Sequence, residues 1–236
     1  MKIFLYQSPN GYCYNSDSIF LYRFIKEFNI GGNILDIGCG VGVLTALLSK
    51  DTEANFYAVE KQKEMYFFAK KNFEINKFKV NLVNESFQNY KPEVLFDNII
   101  SNPPFYKVDK NQTPNESKNI ARYEHHLPLR VLIEKSSKLL KPRGYFTFCY
   151  DAWQLDSIIL ELKGNNLTPE FIKFVHPKAN KEAKIVMIRA RKNSNARVKN
   201  LPPLIVFDEN SNYTKEAQEA FDMAKTHSIK AVYEES

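Results

Sequence analysis

The sequence predicts an α/β fold in which a seven-stranded, mostly parallel sheet is flanked by helices. Two observations support this prediction. Short apolar runs alternate with longer mixed segments along the chain, as strands and helices alternate in α/β proteins. The chain has 236 residues, of which 44% are apolar, and this is enough to bury a full hydrophobic core. We find no internal repeat and no low-complexity segment.

The predicted elements follow one another along the chain. The strands are the apolar runs at residues 33–37, 55–59, 80–83, 96–101, 144–150, 171–176 and 185–190. The helices lie between them at residues 17–28, 43–49, 63–76, 128–140 and 153–163. Ser16 or Asp17 can cap the first helix. The proline and glycine in residues 139–144 end the fourth helix and turn the chain into the next strand.

A single domain is predicted for residues 1–236. Residues 1–30 precede the first strand of the predicted sheet, and residues from about 192 to 236 follow the last one. We interpret both segments as extensions packed on the same domain. A separate C-terminal domain of about 40 residues would be at the limit of independent stability.

Composition excludes several classes of protein. No run of about 18 uncharged apolar residues is present, so we expect no membrane segment. Cys13, Cys39 and Cys149 are odd in number and far apart, which favours a reducing, cytoplasmic compartment. Neither they nor the adjacent His125 and His126 have the spacing of metal ligands, so we expect no metal. We expect a monomer.

The positive charge of the chain is concentrated in one part of the sequence. Residues 1–100 carry equal numbers of basic and acidic side chains, 11 of each. Residues 101–199 carry 19 Lys and Arg against 9 Asp and Glu, a surplus of ten within a net charge of +6. This surplus favours a polyanionic substrate, although lysines that only solvate the surface would give the same count.

A glycine-rich segment directly after the first predicted strand predicts a cofactor site. Gly38, Gly40 and Gly42, with Cys39 among them, allow the backbone to turn tightly and approach a ligand. A dinucleotide site would need its third glycine one residue later, which disfavours a nicotinamide oxidoreductase. Asp36 would repel a pyrophosphate but suits the ammonium and sulfonium groups of S-adenosylmethionine (SAM). We therefore predict SAM as the cofactor.

Acidic residues after the next two strands complete the predicted cofactor site. Glu60 follows the last of these glycines by 18 residues, a spacing suited to a carboxylate that accepts hydrogen bonds from ribose hydroxyls, and Lys61 lies beside it. Glu85 or Ser86, followed by the apolar Phe87, can hold the adenine amino group and ring. The residues alone leave open which of the two does so.

The sequence Asn102, Pro103, Pro104, Phe105 follows the strand predicted at residues 96–101 and predicts a site for a planar amine. The Asn102 oxygen and the Pro103 carbonyl can each accept one N–H of the amine, which turns the nitrogen lone pair toward the methyl group. Asn102 would also contact the cofactor. The prolines restrict φ, and Phe105 can stack on the base. The alternative is a proline-rich turn next to a core phenylalanine.

These residues resemble the class I SAM-dependent N-methyltransferases that have an Asn-Pro-Pro-Phe or Asn-Pro-Pro-Tyr motif and a Rossmann-like fold. Further segments look like the bacterial tRNA (adenine-N6)-methyltransferase family that modifies adenine 37, next to the anticodon of valine tRNA. The segments are residues 15–21, 121–124, 139–146, 201–206 and 213–216. Where that family often has Asp for the cofactor adenine, this chain has Ser86.

The resemblance implies SAM as cofactor and tRNA as substrate, with the target adenine rotated out of its stack. It also implies a set of basic side chains that contact phosphates. These are Lys107, Lys110, Lys118, Arg122, Arg189, Arg191, Lys192, Arg197 and Lys199. The alternatives within the class are a ribosomal RNA N-methyltransferase and a protein glutamine N5-methyltransferase. A non-catalytic binding module is disfavoured because Asn102 and Phe105 are both present.

Overall fold

The computed structural model describes residues 1–9, 14–103 and 127–233. The strands are β1 (Ile3–Gln7), β2 (Asn33–Ile37), β3 (Asn55–Glu60), β4 (Val80–Asn84), β5 (Phe96–Ser101), β6 (Leu140–Asp151), β7 (Leu167–His176), β8 (Ile185–Lys192), β9 (Lys199–Asn200), β10 (Leu204–Ile205) and β11 (Thr226–Lys230). The helices are α1 (Ser16–Ile25), α2 (Val43–Ser49), α3 (Lys63–Ile75), α4 (Leu129–Leu139), α5 (Leu155–Gly164) and α6 (Lys215–Ala224), with a short 3₁₀ turn at Ala152–Gln154.

The central sheet has the strand order β10-β7-β8-β6-β5-β2-β3-β4, and β9 also pairs with β7. Strands β2 to β6 run parallel to one another, whereas β8 runs antiparallel to both β6 and β7. All seven predicted strands lie in this sheet, so the prediction of an α/β fold with a mostly parallel sheet is confirmed. The short strands β9 and β10, which we did not predict, extend its β7 edge.

Several boundaries differ from the prediction: β7 starts at Leu167, four residues before the predicted start, and β8 ends at Lys192. Three further differences concern α1, the start of β6 and the start of α5. Helix α1 begins at Ser16 and ends at Ile25, and its N-cap residue is Asn15, whose side-chain amide donates to Asp17 at 2.6 Å. The predicted turn at residues 139–144 lies within β6, which starts directly after α4 and bulges where Arg143 has φ of +68°. The 3₁₀ turn delays the start of α5 until Leu155.

The two ends of the chain meet in a second, two-stranded sheet. Strand β1 pairs in parallel with β11, and both lie outside the strands that we predicted. Asn72 in α3 and Asn76, which directly follows this helix, hold the outer edge of β1. Asn72 exchanges hydrogen bonds with the backbone of Tyr6, and Asn76 does the same with the backbone of Phe4, at distances of 2.6 to 3.0 Å. These side chains supply the partners that a third strand would otherwise provide.

The centre of the sheet positions the candidate site. Strands β2 and β5 consist mainly of buried apolar residues, as expected for neighbouring parallel strands covered on both faces. Ile37 pairs with Ser101, and the Ser101 hydroxyl donates to the Ile37 carbonyl at 2.9 Å. The two strands therefore end side by side, so Gly38 and Asn102 leave the sheet as neighbours. In the part of the chain that the structure describes, no helix has the length and apolarity needed to span a membrane.

Candidate active site

A cavity opens at the carboxyl ends of β2, β3 and β5, where ligands bind in open α/β sheets. The empty space is about 930 Å³, which includes open solvent at the mouth. Eight predicted site residues line it: Asp36, Gly38, Cys39, Gly40, Glu60, Lys61, Glu85 and Asn102. The sequence motifs thus converge on one cavity.

Two glycines form a cradle at the floor of the cavity. Gly38 and Gly40 have φ of +65° and +57°, a conformation that favours glycine, and a Cβ at either position would have no atom within 4 Å. The Gly38 and Cys39 amides donate to the Val59 carbonyl, which fastens the segment to β3. The backbone at Gly38 and Gly40 is therefore open to a ligand.

Gly42 has a different role from the one we predicted. It does not line the cavity, and a Cβ at this position would lie 2.6 Å from Cζ of Phe73 in α3. Its φ of +81° is also unfavourable for other residues. The absence of a side chain at Gly42 lets the loop pack against α3, and we assign Gly42 to packing rather than to cofactor contact.

Substituting these glycines one at a time should separate the two roles. We expect Gly42→Ala to lower the free energy of unfolding by about 2 to 4 kcal/mol, because it adds a clash with Phe73 to an unfavourable φ. Gly40→Ala should cost only about 1 kcal/mol but should weaken SAM binding, since its methyl group would enter the cavity. Urea unfolding and calorimetric titration measure both effects. Equal destabilisation by the two substitutions would contradict this assignment.

Asp36 places a buried carboxylate beside the cradle. Its side chain is 2% exposed and accepts a hydrogen bond from the Thr45 hydroxyl at 2.6 Å. Burial raises the pKa of Asp36 to about 7, and the hydrogen bonds from Thr45 only partly offset this rise. Within the described residues Asp36 forms no ion pair. A buried carboxylate without a counterion fits a positively charged ligand group.

Glu60 connects the end of β3 to the glycine cradle. Its buried carboxylate accepts from the Gly40 amide at 2.9 Å and from the Gln62 amide at 2.8 Å, one at each oxygen. Burial raises the pKa of Glu60, and the two backbone donors oppose that rise. Each oxygen keeps a lone pair that can accept a hydroxyl hydrogen, as binding of a ribose requires. The exposed Lys61 follows at the rim.

The structure distinguishes the two residues proposed for the cofactor adenine. Glu85 lines the cavity together with Phe87 and Gln88, whereas Ser86 does not. The Ser86 hydroxyl instead accepts from the Asn89 amide at 3.4 Å, and the Ser86 amide donates to the Glu85 carboxylate at 2.7 Å. Ser86 therefore stabilises the turn, and of the two proposed residues only Glu85 faces the cavity, next to the buried Phe87.

The Asn102 side chain is held from both ends. Its amide nitrogen donates to the Ser18 hydroxyl at 2.8 Å, and the Cys149 thiol donates to its amide oxygen with an S–O distance of 2.9 Å. Burial raises the pKa of the Cys149 thiol, which keeps this donor protonated. Because the Cys149 thiol donates to this end of the amide, this end is the acceptor oxygen, and it retains a lone pair for an incoming N–H.

Sequence reasoning missed Ser18 and Cys149 as neighbours of Asn102. Ser18 lies in the first turn of α1 and Cys149 near the end of β6, so neither is near Asn102 in the sequence. The segment that contains Ser18 was singled out only through its family resemblance. Pro103 is buried, whereas Pro104, Phe105, Lys107 and Arg122 lie outside the described residues, as do Lys110 and Lys118.

Arg189 does not agree with the predicted role in phosphate binding. It is 3% exposed, and its guanidinium lies between the rings of Phe28 and Tyr145, 4.6 and 3.8 Å from their centroids. It also donates to the Thr147 hydroxyl at 3.2 Å. Burial lowers the pKa of Arg189 to about 10, so it remains charged at neutral pH. Arg189 is a packing residue, because a buried guanidinium cannot reach an RNA backbone.

Arg191 and Lys192 lie far from the cavity because of the direction of β8. This strand starts at the cavity edge of the sheet and runs antiparallel to β6, so its last residues reach the opposite edge. Arg191 donates to the Arg143 carbonyl at 3.0 Å, and Lys192 donates to the carbonyls of Ser137 and Leu140 at 2.6 and 2.8 Å. They stabilise the bulge of β6, and the prediction that they bind the substrate does not fit their position.

The cavity fits SAM in the chemistry of its walls. It offers Asp36 for a positive group, Glu60 for vicinal hydroxyls, and the apolar Phe87 for a flat ring. In the described ranges, no group of three or more His, Cys, Asp or Glu side chains could hold a metal ion.

Comparison with known families gives a match over the part of the chain that builds the cavity. A family model described as "Methyltransferase small domain" matches residues 15–154. This range includes the cradle, Glu60, Asn102 and Cys149.

Several related proteins share one name. A protein of Phocaeicola vulgatus named "tRNA1(Val) (adenine(37)-N6)-methyltransferase" is 28% identical over 158 residues, which cover 66% of this chain and 67% of that protein. One of Dyadobacter fermentans with the same name is 35% identical over 120 residues, half of each chain. The chain thus spans half to two thirds of the length of these relatives.

Solved structures show the same fold. A predicted O-methyltransferase of Agrobacterium tumefaciens superposes with a TM-score of 0.69 at 18% identity, covering 91% of this chain and all of that one. A 16S rRNA N2 G1207 methyltransferase of T. thermophilus, in complex with AdoMet and guanosine, has a TM-score of 0.56 at 19% identity, covering 78% of this chain and 45% of that one. The fold is that of the class I SAM-dependent methyltransferases.

Proposed function

Because the chain belongs to the methyltransferase small domain family, we propose that it methylates the N6 amine of an adenine in tRNA, at position 37 beside the anticodon of valine tRNA. The observation that carries this proposal is the Asn102 amide, held by Ser18 and Cys149 at the cavity with its oxygen as acceptor. An amide in this state suits a substrate that presents N–H groups. The names of the related proteins support adenine N6 in valine tRNA as the target.

The residues of the chain perform two tasks in this proposal. When bound, SAM supplies the methyl group as an electrophile. Asp36 and Glu60, at the ends of the adjacent strands β2 and β3, would hold it, Asp36 through its positive groups and Glu60 through its ribose hydroxyls. The Asn102 oxygen and the Pro103 carbonyl accept the two N–H groups of the adenine amine, which turns its lone pair toward the methyl group. Catalysis therefore relies on orientation, with little need for a strong base before transfer.

The site must also admit a base that is normally stacked. An adenine in a flexible anticodon loop can leave its stack at low cost, and this favours a loop substrate over a base-paired one. A tRNA substrate would place the reaction in the cytoplasm, and we propose a monomer as the active form. Ribosomal RNA and protein glutamine are the alternative substrates.

Methylation of tRNA by the purified protein tests the proposal. The assay uses tritiated SAM with an unmodified valine tRNA transcript, a matched transcript with guanine at position 37, and ribosomal RNA. We expect incorporation into the first transcript alone, with N6-methyladenosine as the product in nucleoside mass spectrometry. Labelling of ribosomal RNA, or absence of labelling while calorimetry detects SAM binding, would contradict the proposal and shift the assignment to one of the alternative substrates.

A further inference from the structure

Trp153 is a large aromatic side chain that the proposed reaction does not use. Its side chain is 68% exposed, although tryptophan is buried to a large extent in most proteins. It lies in the 3₁₀ turn after β6, and its amide donates to the Asp151 carboxylate at 3.0 Å. The backbone of this turn is thus held, and most of the indole ring faces solvent.

The turn lies at the same edge of the sheet as the cavity. Strand β6 runs parallel to β5, so its end at Asp151 is beside the end of β5 that leads to Asn102. Cys149, which donates to the Asn102 side chain, precedes Trp153 by four residues. Four residues extend over at most about 15 Å, which limits the distance between the Cα atoms of Cys149 and Trp153. A nucleotide that is adjacent in the RNA to the nucleotide in the cavity can therefore reach the indole ring of Trp153.

One basic side chain lies over this ring, and a second lies in the same connection of the chain. The ammonium group of Lys184 is 5.0 Å from the centroid of the Trp153 ring. Lys184 and the exposed Lys181 belong to the connection between β7 and β8, which ends at the cavity edge because Ile185 pairs with Asp151. The acidic neighbours of this set in the sequence are Asp151, which caps the turn, and the exposed Asp156 and Glu182.

Single-stranded nucleic acids bind to surfaces that combine exposed aromatic rings with lysines. Bases stack on the rings, and the lysines contact phosphates. We propose that Trp153, Lys181 and Lys184 form a stacking platform for a nucleotide that flanks the methylated adenine. This platform rests on the proposed function, because it requires an RNA substrate at the cavity. It holds the loop beside the cavity, while Asn102 holds the amine of the rotated base.

Binding of an unmodified valine tRNA transcript, measured by fluorescence anisotropy, tests the platform. Removal of the stacking ring in Trp153→Ala should weaken RNA binding by about 5- to 100-fold, and Trp153→Tyr should restore most of the loss. Lys184→Ala should lower the slope of log affinity against log salt by about 0.7. The matched control is Leu160→Ala in α5, since Leu160 is 73% exposed and apolar but offers no ring. It should bind RNA like the wild type.

The outcomes separate the platform from the proposed function. If the wild type methylates the transcript and Trp153→Ala binds it with unchanged affinity, the platform is wrong and the proposed function stands. If the wild type neither binds nor methylates the transcript, the proposed function fails and the platform fails with it. SAM affinity, measured by calorimetry, should be the same in Trp153→Ala as in the wild type, since Trp153 does not line the cavity. A parallel loss of SAM affinity would overturn the platform.

Discussion

Replacing Asn102 with alanine should lower the rate of methyl transfer by about 100- to 1000-fold and leave the affinity for SAM nearly unchanged. The substitution removes the oxygen that accepts an N–H of the amine, so the nitrogen lone pair is no longer directed. Asp36 and Glu60, which hold SAM in the proposed mechanism, do not contact Asn102 through any hydrogen bond that we observe in the described residues. Single-turnover methylation at saturating tRNA measures the rate, and calorimetric titration measures the affinity.

Conservative variants make this expectation specific. Asn102→Asp keeps an acceptor oxygen at the same place, so it should be more active than the alanine variant. Ser18→Ala should have an intermediate effect, because it removes the hydroxyl that holds the nitrogen end of the Asn102 amide. If Asn102→Ala lost SAM affinity and transfer rate by the same factor, the amine-holding role would be refuted.

Replacing Asp36 with asparagine should weaken SAM binding by about 10- to 100-fold, because a hydrogen bond to a charged group is lost. An asparagine oxygen can still accept from the Thr45 hydroxyl, so the local structure should be retained. Once SAM is saturating, the transfer rate should be close to that of the wild type. Calorimetric titration at pH 7.5 gives the affinity. A fall in transfer rate at saturating SAM, without a change in affinity, would contradict the assignment of Asp36.

The raised pKa of Asp36 also predicts how SAM binding depends on pH. With a pKa of about 7, this carboxyl is mostly protonated at pH 6 and mostly charged at pH 7.5 or above. The charged form attracts the ammonium group, so affinity should rise between about pH 6 and 7.5 with release of a proton. It should stop rising near pH 8, where an α-amino group loses its own proton. The stability of the unliganded protein should change with pH in the opposite direction to the SAM affinity. The raised pKa of Asp36 stabilises the folded state at low pH, and this contribution is lost as pH rises through 7.

Calorimetry in two buffers of different ionisation enthalpy measures the released proton. Glu60 is buried beside the same cradle and its pKa is also raised, so the Asp36→Asn variant is needed to separate the two carboxyls. We expect the rise in affinity and the proton release to disappear in Asp36→Asn. Release of the same fraction of a proton by both proteins would assign the titration to Glu60.

The central sheet was predictable because each of its main strands contains a local run rich in apolar residues, and in β2 and β5 most of these residues are buried. Strands β2 and β5 end at the residues predicted, and the motifs that follow them therefore met at one edge. The pairing of β1 with β11 was not predictable, since no local pattern identifies a partner at the other end of the chain. The role of Asn72 and Asn76 as strand partners was hidden for the same reason, because both fit an ordinary polar helix face.

The candidate site was predictable where a residue follows a strand at a fixed spacing. It was not predictable where the place of a residue depends on the direction of its strand or on tertiary packing. The cradle and Glu60 follow strands at fixed offsets, so their convergence follows from parallel pairing. Arg191 and Lys192 were expected to be substrate residues, yet the reversal of β8 removes its last residues from the cavity edge, and Arg189 is buried. Gly42 and Ser86 have the residue types of a ligand site, but tertiary packing gives them structural roles.

The pairing of the two chain ends affects how the protein matures during synthesis. Tyr14, in the wall of the cavity, donates through its hydroxyl to Thr226 in β11, and the two residues are 212 positions apart. The ribosome makes β1 long before it makes β11, the strand that pairs with β1. Contacts of such long sequence separation form late in folding. A nascent chain can assemble the central sheet while this wall is still open, so the cavity is completed only after residues 226–230 leave the ribosome.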